Sequence, residues 1–325
     1  MARMSYRDAI NAALREEMAR DEKVVVFGED VARYEGSFKV TRGLLNEFGE
    51  KRIFDTPISE AGIIGMATGA AMTGLRPVPE LMTVNFAYVA IDQIVNHLAL
   101  MRYMFGGQVT LPVTIRMPGG GGHQLGSQHS HSAEVLFVHT PGLKVVYPSM
   151  PADARALLKA SIRDDNPVIF LEHEGLYNYQ DEVPDELPEA RLGEARVLRP
   201  GKDVTIVSYG GMTHVALEAA VALESEGISA EVVDLRTLRP WDHDAVASSV
   251  MKTHRAVVVE ESPPVCGIAA EVATNIYEMV FDDLDAPVER VSGADVPLPY
   301  AKKLEQACIP HAPEVVAAVK KTLSK

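Results

Sequence analysis

An acidic residue at the start of a helix rich in small residues is the feature of this chain best suited to chemistry. Ser59 is a good N-cap, so Glu60 falls in the first turn of the helix that follows it. A carboxylate beside a close helix–helix contact is typical of a cofactor held at a subunit interface, although the helix dipole alone also favours an acid here. Such a contact is predicted because small residues recur at every fourth position along one face of the helix: Ala61, Gly65, Gly69 and Thr73.

A cluster of histidines in a glycine-rich loop is the second candidate. The run MPGGGGHQLGSQHSHS carries His123, His129 and His131. Histidine titrates in the range that general acid–base catalysis needs, whereas a bond from the ring to the loop backbone is the structural alternative. No acid or cysteine stands at a familiar ligand spacing beside them, which disfavours a metal site. The spacing alone does not choose among the three.

Motifs that bind a diphosphate are absent. The glycines at positions 62, 65, 69 and 74 lie within a helical pattern, so they do not form a GxGxxG turn between a strand and a helix. The P-loop pattern GxxxxGK[ST] does not occur either. The chain therefore has no obvious diphosphate-binding loop of its own.

The charge balance is acidic and the cysteine content is low. The 325 residues, 47% hydrophobic and 23% charged, suffice for two domains of a globular protein. A formal net charge of -14 disfavours nucleic acid, whose phosphates need a basic surface, and permits a basic protein partner. Cys266 and Cys308 form no CxxC pattern, which disfavours a disulfide framework or a thiolate metal site and fits a reducing cytoplasm.

The N-terminal stretch MARMSYRDAINAALREEMARD predicts an amphipathic helix that starts near Ser5. It lacks the apolar core and the cleavage site of a signal peptide. No apolar run reaches the length of a membrane span. We therefore expect a cytoplasmic, bacterial protein with no targeting peptide and no membrane contact.

Apolar, β-branched runs alternate with helical patterns in the first part of the chain. This alternation predicts an α/β domain whose parallel sheet is covered by helices on both faces. The predicted strands are residues 23–27, 52–54, 77–81, 111–116, 143–147 and 167–171, and the predicted helices are residues 59–74, 87–105 and 152–163.

The acidic, proline-containing stretch 174–200 has little periodicity and is typical of a connection between domains. A second alternation of strands and helices follows it and predicts a smaller α/β domain. We therefore expect a first domain at residues 1–185, a linker at residues 186–200 and a second domain at residues 201–325.

Several stretches, taken together, resemble one known family: the β subunits of the thiamine-diphosphate-dependent E1 component of 2-oxo acid dehydrogenase complexes. They occur in the same order from about Met4 to the last helix, and they most resemble the pyruvate-specific members. The resemblance implies a transketolase-like pyrimidine-binding domain followed by a smaller transketolase C-terminal-type domain. It rests on DTPISEAG, GAAMTGLRPVPELMTVNF, AIDQI, GSQHSHS, HTPGLKVVYPS, SIRDDNPVIFLE, VVDLRTLRPWD and VSGADVPLPYAKKLE.

The resemblance also implies roles for single residues. Glu60 matches the glutamate that pairs with N1′ of the aminopyrimidine of thiamine diphosphate, and the cofactor then carries the decarboxylation chemistry. Ile58, Met82 and Phe86 match residues around the pyrimidine, although Phe86 is also a plausible core residue. His129, in QHS, matches the proton donor for acyl transfer to lipoamide. His131 stands where we expect a glutamine, and QHS favours His129.

A potassium site is implied as well, by Val113, Ser161, Ile162, Asp164 and Asn166, since hard oxygen ligands suit that ion. An ordinary turn is the alternative, because Asp and Asn before proline commonly end a helix. In this family a GDG motif on the α subunit holds the diphosphate and Mg²⁺, and this chain contains no GDG. The resemblance thus implies activity only within an α2β2 heterotetramer.

The implied function is the β subunit of an E1 enzyme that decarboxylates pyruvate and acetylates the lipoyl group of E2. The implied partners are the E1 α subunit, the 2-oxo acid, and the subunit-binding and lipoyl domains of E2, with residues 292–300 and the C-terminus as the docking surface. Branched-chain 2-oxo acids or acetoin are alternative substrates. Two competing interpretations are a fragment of transketolase or deoxyxylulose-phosphate synthase and a non-enzymatic assembly subunit.

Overall fold

The computed structural model describes residues 2–324. The chain folds into two compact units. The first comprises Met1–Gly119 and Leu136–Leu192, and the second comprises Gly120–Val135 and Gly193–Lys325. The glycine-rich loop with its three histidines therefore belongs to the second unit. The domain bounds 1–185, 186–200 and 201–325 stay a prediction.

The first unit contains eight of the strands that the structure describes between residues 2 and 324. They are β1 (Ala2–Ser5), β2 (Val24–Gly28), β3 (Ile53–Asp55), β4 (Arg76–Glu80), β5 (Thr114–Gly119), β6 (Lys144–Val146), β7 (Val168–His173) and β8 (Gln180–Val183). The helices up to this point are α1 (Tyr6–Arg20), α2 (Leu44–Phe48), α3 (Glu60–Met72), α4 (Ala99–Met104), α5 (Glu134–Val138) and α6 (Pro151–Arg163).

Six strands of the first unit run parallel in the order β6-β7-β5-β4-β2-β3. Every residue of β2, β5 and β7 is buried, as a sheet covered on both faces requires. The register places Gly28 at the end of β2 opposite Asp55 in β3 and Glu80 in β4. The parallel α/β architecture expected from the sequence is confirmed.

Helix α1 begins directly after Ser5, as predicted, because Ser5 is its N-cap and accepts a hydrogen bond of 3.1 Å from the backbone N–H of Asp8. Its apolar face recurs at intervals of three and four residues and packs in the core of the first unit together with α6. The residues that these two helices bury there include Ile10, Leu14, Met18, Leu157 and Ile162.

The helix predicted over residues 87–105 is confirmed for residues 91–104, which form one continuous run of helical turns, but it is wrong before residue 91. The structure has a 3-10 turn at Val84–Tyr88, a π-helical segment at Gln93–Leu98 and only then the short helix α4. The apolar spacing indicates a helix-like segment but does not distinguish hydrogen bonds that span three, four or five residues. The stretch 174–200 also holds more order than expected, since β8 pairs with β1 in an antiparallel ribbon.

The second unit is built on the order β14-β13-β10-β11-β9, in which only β9 runs antiparallel. Its strands are β9 (Arg196–Arg199), β10 (Val204–Ser208), β11 (Ala230–Asp234), β12 (Thr237–Arg239), β13 (Ala256–Val259) and β14 (Glu289–Val291). Its helices are α7 (Met212–Glu224), α8 (His243–Thr253), α9 (Ile268–Val280), α10 (Lys302–Gln306) and α11 (Ala312–Leu323).

Successive residues of β10 point to opposite faces of this sheet. Ile206 joins the apolar core formed with α7 and α11. Thr205 hydrogen-bonds at 2.7 Å to the hydroxyl groups of both Ser249 and Thr253 in α8. Helices therefore cover both faces. Within residues 2–324 of the chain, no helix is both long enough and apolar enough to cross a membrane.

Candidate functional site

Three neighbouring strands of the first unit, β3, β2 and β4, end at the same edge of the parallel sheet. The carboxyl edge of such a sheet is where α/β proteins commonly bind ligands. The segments that leave these strands carry Ile58 and Glu60 after β3, Glu29 after β2, and Met82 and Phe86 after β4. The fold thus brings the residues predicted around the pyrimidine to one edge of one sheet.

Glu60 is the first residue of α3, and only 8% of it is exposed. The Ser59 hydroxyl accepts a hydrogen bond of 3.3 Å from the backbone N–H of Gly62, which confirms the predicted N-cap. The N-terminal end of the helix carries partial positive charge and favours a carboxylate at this position. Glu60 is therefore held at the sheet edge by its cap.

Glu29, which the sequence analysis missed, lies beside Glu60. It is 7% exposed, and its Oε1 atom has no hydrogen-bond partner among residues 2–324. Burial raises the pKa of Glu29, and the neighbouring charges of Glu60 and Asp30 raise it further. A buried carboxyl group without a partner in its own chain is typical of a functional site. Its position directly after a central strand was the available signal.

The surroundings of Glu60 are partly open and apolar. Ile58 is 83% exposed, whereas Met82 and Phe86 are half-buried. A cleft of about 290 Å³ adjoins the start of α3, and the residues that line it are Phe54, Asp55, Thr56, Pro57, Ser59, Gly62, Ile63 and Met66. Further along α3, a Cβ atom added at Gly69 would meet nothing within 4 Å among the described residues. The small face of α3 is therefore left uncovered there.

A buried ion cluster lies behind this edge. Arg116, which is fully buried, donates to Glu80 at 2.6 Å and to Glu172 at 2.9 Å, and its Nε atom forms an ion pair with the other oxygen of Glu172 at 2.7 Å. The Tyr177 hydroxyl donates to Glu172 at 2.7 Å. Burial raises the pKa of Glu80 despite the opposing charge of Arg116. The cluster links β4, β5 and β7. It thereby fixes the carboxyl end of β4, after which Met82 follows.

His129 and His131 lie in the second unit, in the loop that follows β5. His129 ends a 3-10 turn at Ser127–His129, and its backbone N–H donates to Gly126 at 3.1 Å. The His131 carbonyl accepts from the N–H of Gly120 at 3.1 Å. Both side chains are exposed, and partial desolvation lowers the pKa of His131. The choice of His129 over its neighbours stays a prediction.

The five residues expected to hold potassium gather around the end of α6, but cationic side chains already occupy their oxygens. The Ile162 carbonyl accepts from Arg76 at 3.0 Å, and the side-chain oxygen of Asn166 accepts from Arg102 at 2.7 Å. The Asp164 carboxylate pairs with Lys144 and also accepts from the backbone N–H of Asn166 at 2.9 Å.

The oxygen atoms of the other two residues, Val113 and Ser161, also form hydrogen bonds within the chain. The Val113 carbonyl accepts from the N–H of Val168 at 2.9 Å, and the Ser161 hydroxyl donates to Leu157 at 2.7 Å. Burial acts to raise the pKa of Asp164, but the bonds from Lys144 and Asn166 outweigh burial and lower it. Three cationic side chains thus compete with K⁺ for these oxygens, and the potassium site stays a prediction. No metal-binding group of His, Cys, Asp and Glu side chains occurs in the described part of the chain.

Two known families match consecutive parts of the chain. The family described as "Transketolase, pyrimidine binding domain" matches residues 2–180, and "Transketolase, C-terminal domain" matches residues 193–315. These matches agree with a chain of two α/β units.

Curated relatives share about half of their aligned residues with this chain. The pyruvate dehydrogenase E1 component subunit beta of Rhizobium meliloti is 52% identical, over 98% of this chain and 70% of the relative. The mitochondrial subunit beta of Caenorhabditis elegans is 49% identical, over 99% of this chain and 93% of the relative. A solved structure described as "Split gene transketolase, inactive beta4 tetramer" has a TM-score of 0.81 at 29% identity and covers 99% of this chain and 98% of its own.

Proposed function

The chain belongs to the family of pyruvate dehydrogenase E1 component β subunits, and we propose that it supplies the proton-transferring residues of an active site that decarboxylates pyruvate and acetylates the lipoyl group of E2. Membership of this family implies dependence on thiamine diphosphate. Bound thiamine diphosphate supplies the nucleophilic carbon and the electron sink that decarboxylation needs. The residues of this chain would bind and orient this cofactor and would transfer protons.

The observation that carries the proposal is the acidic pair at the carboxyl edge of the sheet. Glu60 is buried at a capped helix start, and Glu29 beside it leaves a buried oxygen without a partner in the described chain. We assign Glu60 the proton contact with N1′ of the aminopyrimidine. A carboxyl group that is held at a helix start and shielded from water suits such a contact, because it stays in position throughout the proton transfer.

Apolar contacts would hold the ring against Glu60. Met82 and Phe86 follow β4, and the exposed Ile58 precedes Glu60 by two residues. The half-buried state of Met82 and Phe86 supports this role over a pure core role, since a core aromatic residue would be enclosed by its own chain. These residues would exclude water from the proton contact and set the orientation of the ring.

We assign His129 the proton donor for transfer of the acetyl group to the lipoyl domain of E2. A thiolate leaves when the dithiolane ring of the lipoyl group opens, and an imidazole titrates in the range suited to protonate it. The exposure of His129 in a short turn supports access by a partner domain.

The proposal includes an α subunit in an α2β2 assembly. The chain lacks the GDG motif, so the partner would hold the diphosphate and Mg²⁺. The part of the small face of α3 that is uncovered, at Gly69, offers a surface for close contact with another subunit. A related chain described as an inactive β4 tetramer is consistent with activity that depends on a partner. Docking of E2 through its basic subunit-binding domain fits the acidic net charge. Potassium is not part of the proposal.

Reconstitution tests this function. The chain is combined with its candidate α subunit, thiamine diphosphate and Mg²⁺, and reduction of an artificial electron acceptor is measured with pyruvate, 3-methyl-2-oxobutanoate and acetoin. We expect activity with pyruvate. A preference for 3-methyl-2-oxobutanoate or acetoin would change the assigned substrate and leave the proposed mechanism in place. A well-formed complex that binds thiamine diphosphate but reacts with none of the three would overturn the proposal.

A further inference from the structure

A buried carboxylate of the second unit holds the loop that carries His129. Glu305 lies in α10 and is fully buried. Its two oxygens accept hydrogen bonds from the backbone N–H of Gly122 at 3.1 Å and from the backbone N–H of Gln124 at 3.1 Å. The side-chain amide of Gln124 donates to the same carboxylate at 2.9 Å. The histidine loop is thus bound to α10 by one acid.

The backbone of the loop is shaped around this acid. Gly122 has φ +100° and Gln124 has φ 55°, so both residues adopt the left-handed region. Turns that contain left-handed residues aim nearby N–H groups into one concavity that favours an anion. Hydrogen bonds to a charged acceptor are about twice as strong as bonds between neutral groups. The carboxylate charge of Glu305 is therefore what this conformation requires.

A second acid and two apolar side chains fix the neighbouring part of the loop. Glu261 accepts from the backbone N–H of Gly121 at 2.6 Å and from the Ser132 hydroxyl at 3.0 Å. A Cβ atom at Gly121 would lie 2.8 Å from the terminal carbons of Leu298 and Ile309, so the loop packs closely there. The Ser127 hydroxyl, two residues before His129, donates to the Leu298 carbonyl at 2.8 Å.

We propose that Glu305 is a positioning residue that fixes the loop and thereby holds His129 in place for the acetyl-transfer step. This inference rests on the role proposed above for His129. Glu305 touches no reacting atom and acts through residues 122–129. Displacement of a reacting group by about 1 Å can lower a rate about a hundredfold, so loss of the anchor affects the step that uses His129.

The test separates two half-reactions in the reconstituted complex. Decarboxylation of pyruvate is followed with an artificial electron acceptor, and acetyl transfer is followed with a free lipoyl domain of E2. In Glu305→Gln, an amide replaces the acceptor-only carboxylate and presents an N–H group to the loop donors. We expect acetyl transfer to fall roughly tenfold to a hundredfold. Decarboxylation should stay within about threefold of the wild type, because the role proposed for His129 belongs to acetyl transfer alone.

A second variant covers the case in which Glu305→Gln folds poorly. Gln124→Ala removes one donor to Glu305 and leaves the backbone bonds in place. We expect a smaller loss of acetyl transfer, about twofold to fivefold, with decarboxylation unchanged. Amide hydrogen exchange supplies a readout apart from activity, and exchange at positions 122 and 124 should accelerate in both variants. Gln306→Ala, an exposed neighbour on α10, is the matched control.

The three variants distinguish failure of the inference from failure of the proposed function. If His129→Gln lowers acetyl transfer but neither Glu305→Gln nor Gln124→Ala does, the inference is wrong and the proposed function stands. If His129→Gln leaves acetyl transfer unchanged, the role of His129 is wrong and the inference fails with it. An equal fall of both half-reactions in folded Glu305→Gln would reduce Glu305 to a general stabilising residue and overturn its positioning role.

Discussion

Glu29 lies so close to Glu60 that the charge of Glu60 contributes to raising the pKa of Glu29, second only to burial. One oxygen of Glu29 is buried and has no hydrogen-bond partner among the described residues. Two buried acids thus interact through their charges at the end of β2 and the start of α3. Such an arrangement destabilises an isolated chain, and it suits a site that a ligand or a partner completes.

Glu29→Gln should raise the thermal stability of the isolated chain at neutral pH. The folded-state pKa lies above its ordinary value of 4.5, so the charged form is penalised and the penalty grows as pH rises through that value. The gain in melting temperature should therefore be larger at pH 8 than at pH 4.5, measured by differential scanning fluorimetry. Glu22→Gln, at an exposed position, is the control. An equal or lower melting temperature for Glu29→Gln at pH 8 would contradict the account.

Glu134 should make the stability of the chain depend on pH in the near-neutral range. Burial raises the pKa of Glu134 to about 7, although the hydroxyl of Tyr209, at 2.7 Å, acts in the opposite direction. The folded state therefore binds more protons than the unfolded state between the ordinary value of 4.5 and about 7. The stability that protonated Glu134 contributes to the folded state is fully present below that ordinary value and is lost as pH rises to about 7.

Glu134→Gln keeps an acceptor for Tyr209 and removes the charge. We expect the variant to unfold at a higher temperature than the wild type above pH 7 and at a similar temperature near pH 4.5, relative to the exposed control Glu218→Gln. Parallel curves of melting temperature against pH for wild type and variant would show that Glu134 does not titrate in this range.

Because Arg102 binds at the end of α6, we expect the stability of the chain not to depend on potassium. Its guanidinium donates to the side-chain oxygen of Asn166 at 2.7 Å, where an ion would otherwise bind. Unfolding of the wild type should be the same in KCl and in tetramethylammonium chloride at equal ionic strength. Arg102→Met should cost about 1 kcal/mol because the acceptor loses its donor. Arg33→Met, at an exposed arginine, serves as the comparison. Specific stabilisation of the wild type by K⁺ would instead support the predicted potassium site.

Tyr177 should contribute to stability through the buried ion cluster. Its hydroxyl donates to Glu172, which also binds Arg116. Tyr177→Phe removes one hydrogen bond to a charged acceptor, so we expect a loss of about 1.5–3 kcal/mol in the free energy of unfolding. Urea titration measures this loss. Tyr103→Phe, at a side chain that is 88% exposed, should change stability by less than about 0.5 kcal/mol. Equal values for the two variants would contradict the role of the cluster.

Local signals in the sequence predicted much of the fold. The caps at Ser5 and Ser59 fixed the starts of two helices, and the β-branched runs located the strands of both sheets. Features that depend on distant parts of the chain were not predictable in this way. The pairing of Arg116 with Glu80 and Glu172 spans 36 and 56 residues, which no local pattern encodes.

The candidate site shows the same division. Glu60 stood out because a cap and a helix of small residues surround it in the sequence. Glu29 did not, because only the order of strands in the sheet brings the end of β2 beside the start of α3. The anchor at Glu305 is 183 residues away from Gly122, so it became visible only in the folded chain. The residues predicted to bind potassium have suitable oxygen atoms. The arginine and lysine side chains that contact these oxygens come from other strands and helices, so the sequence did not reveal them.

The role of Glu60 is the central claim, and one substitution tests it most directly. Glu60→Gln keeps the size of the side chain and removes the transferable proton. The complex with the α subunit is assembled with thiamine diphosphate and Mg²⁺, cofactor binding is verified by a spectroscopic titration, and pyruvate-dependent reduction of an artificial acceptor is measured beside Glu22→Gln. We predict a loss of at least roughly a hundredfold for Glu60→Gln. Activity near that of the wild type in a complex that binds the cofactor would contradict the account and favour a subunit that serves assembly alone.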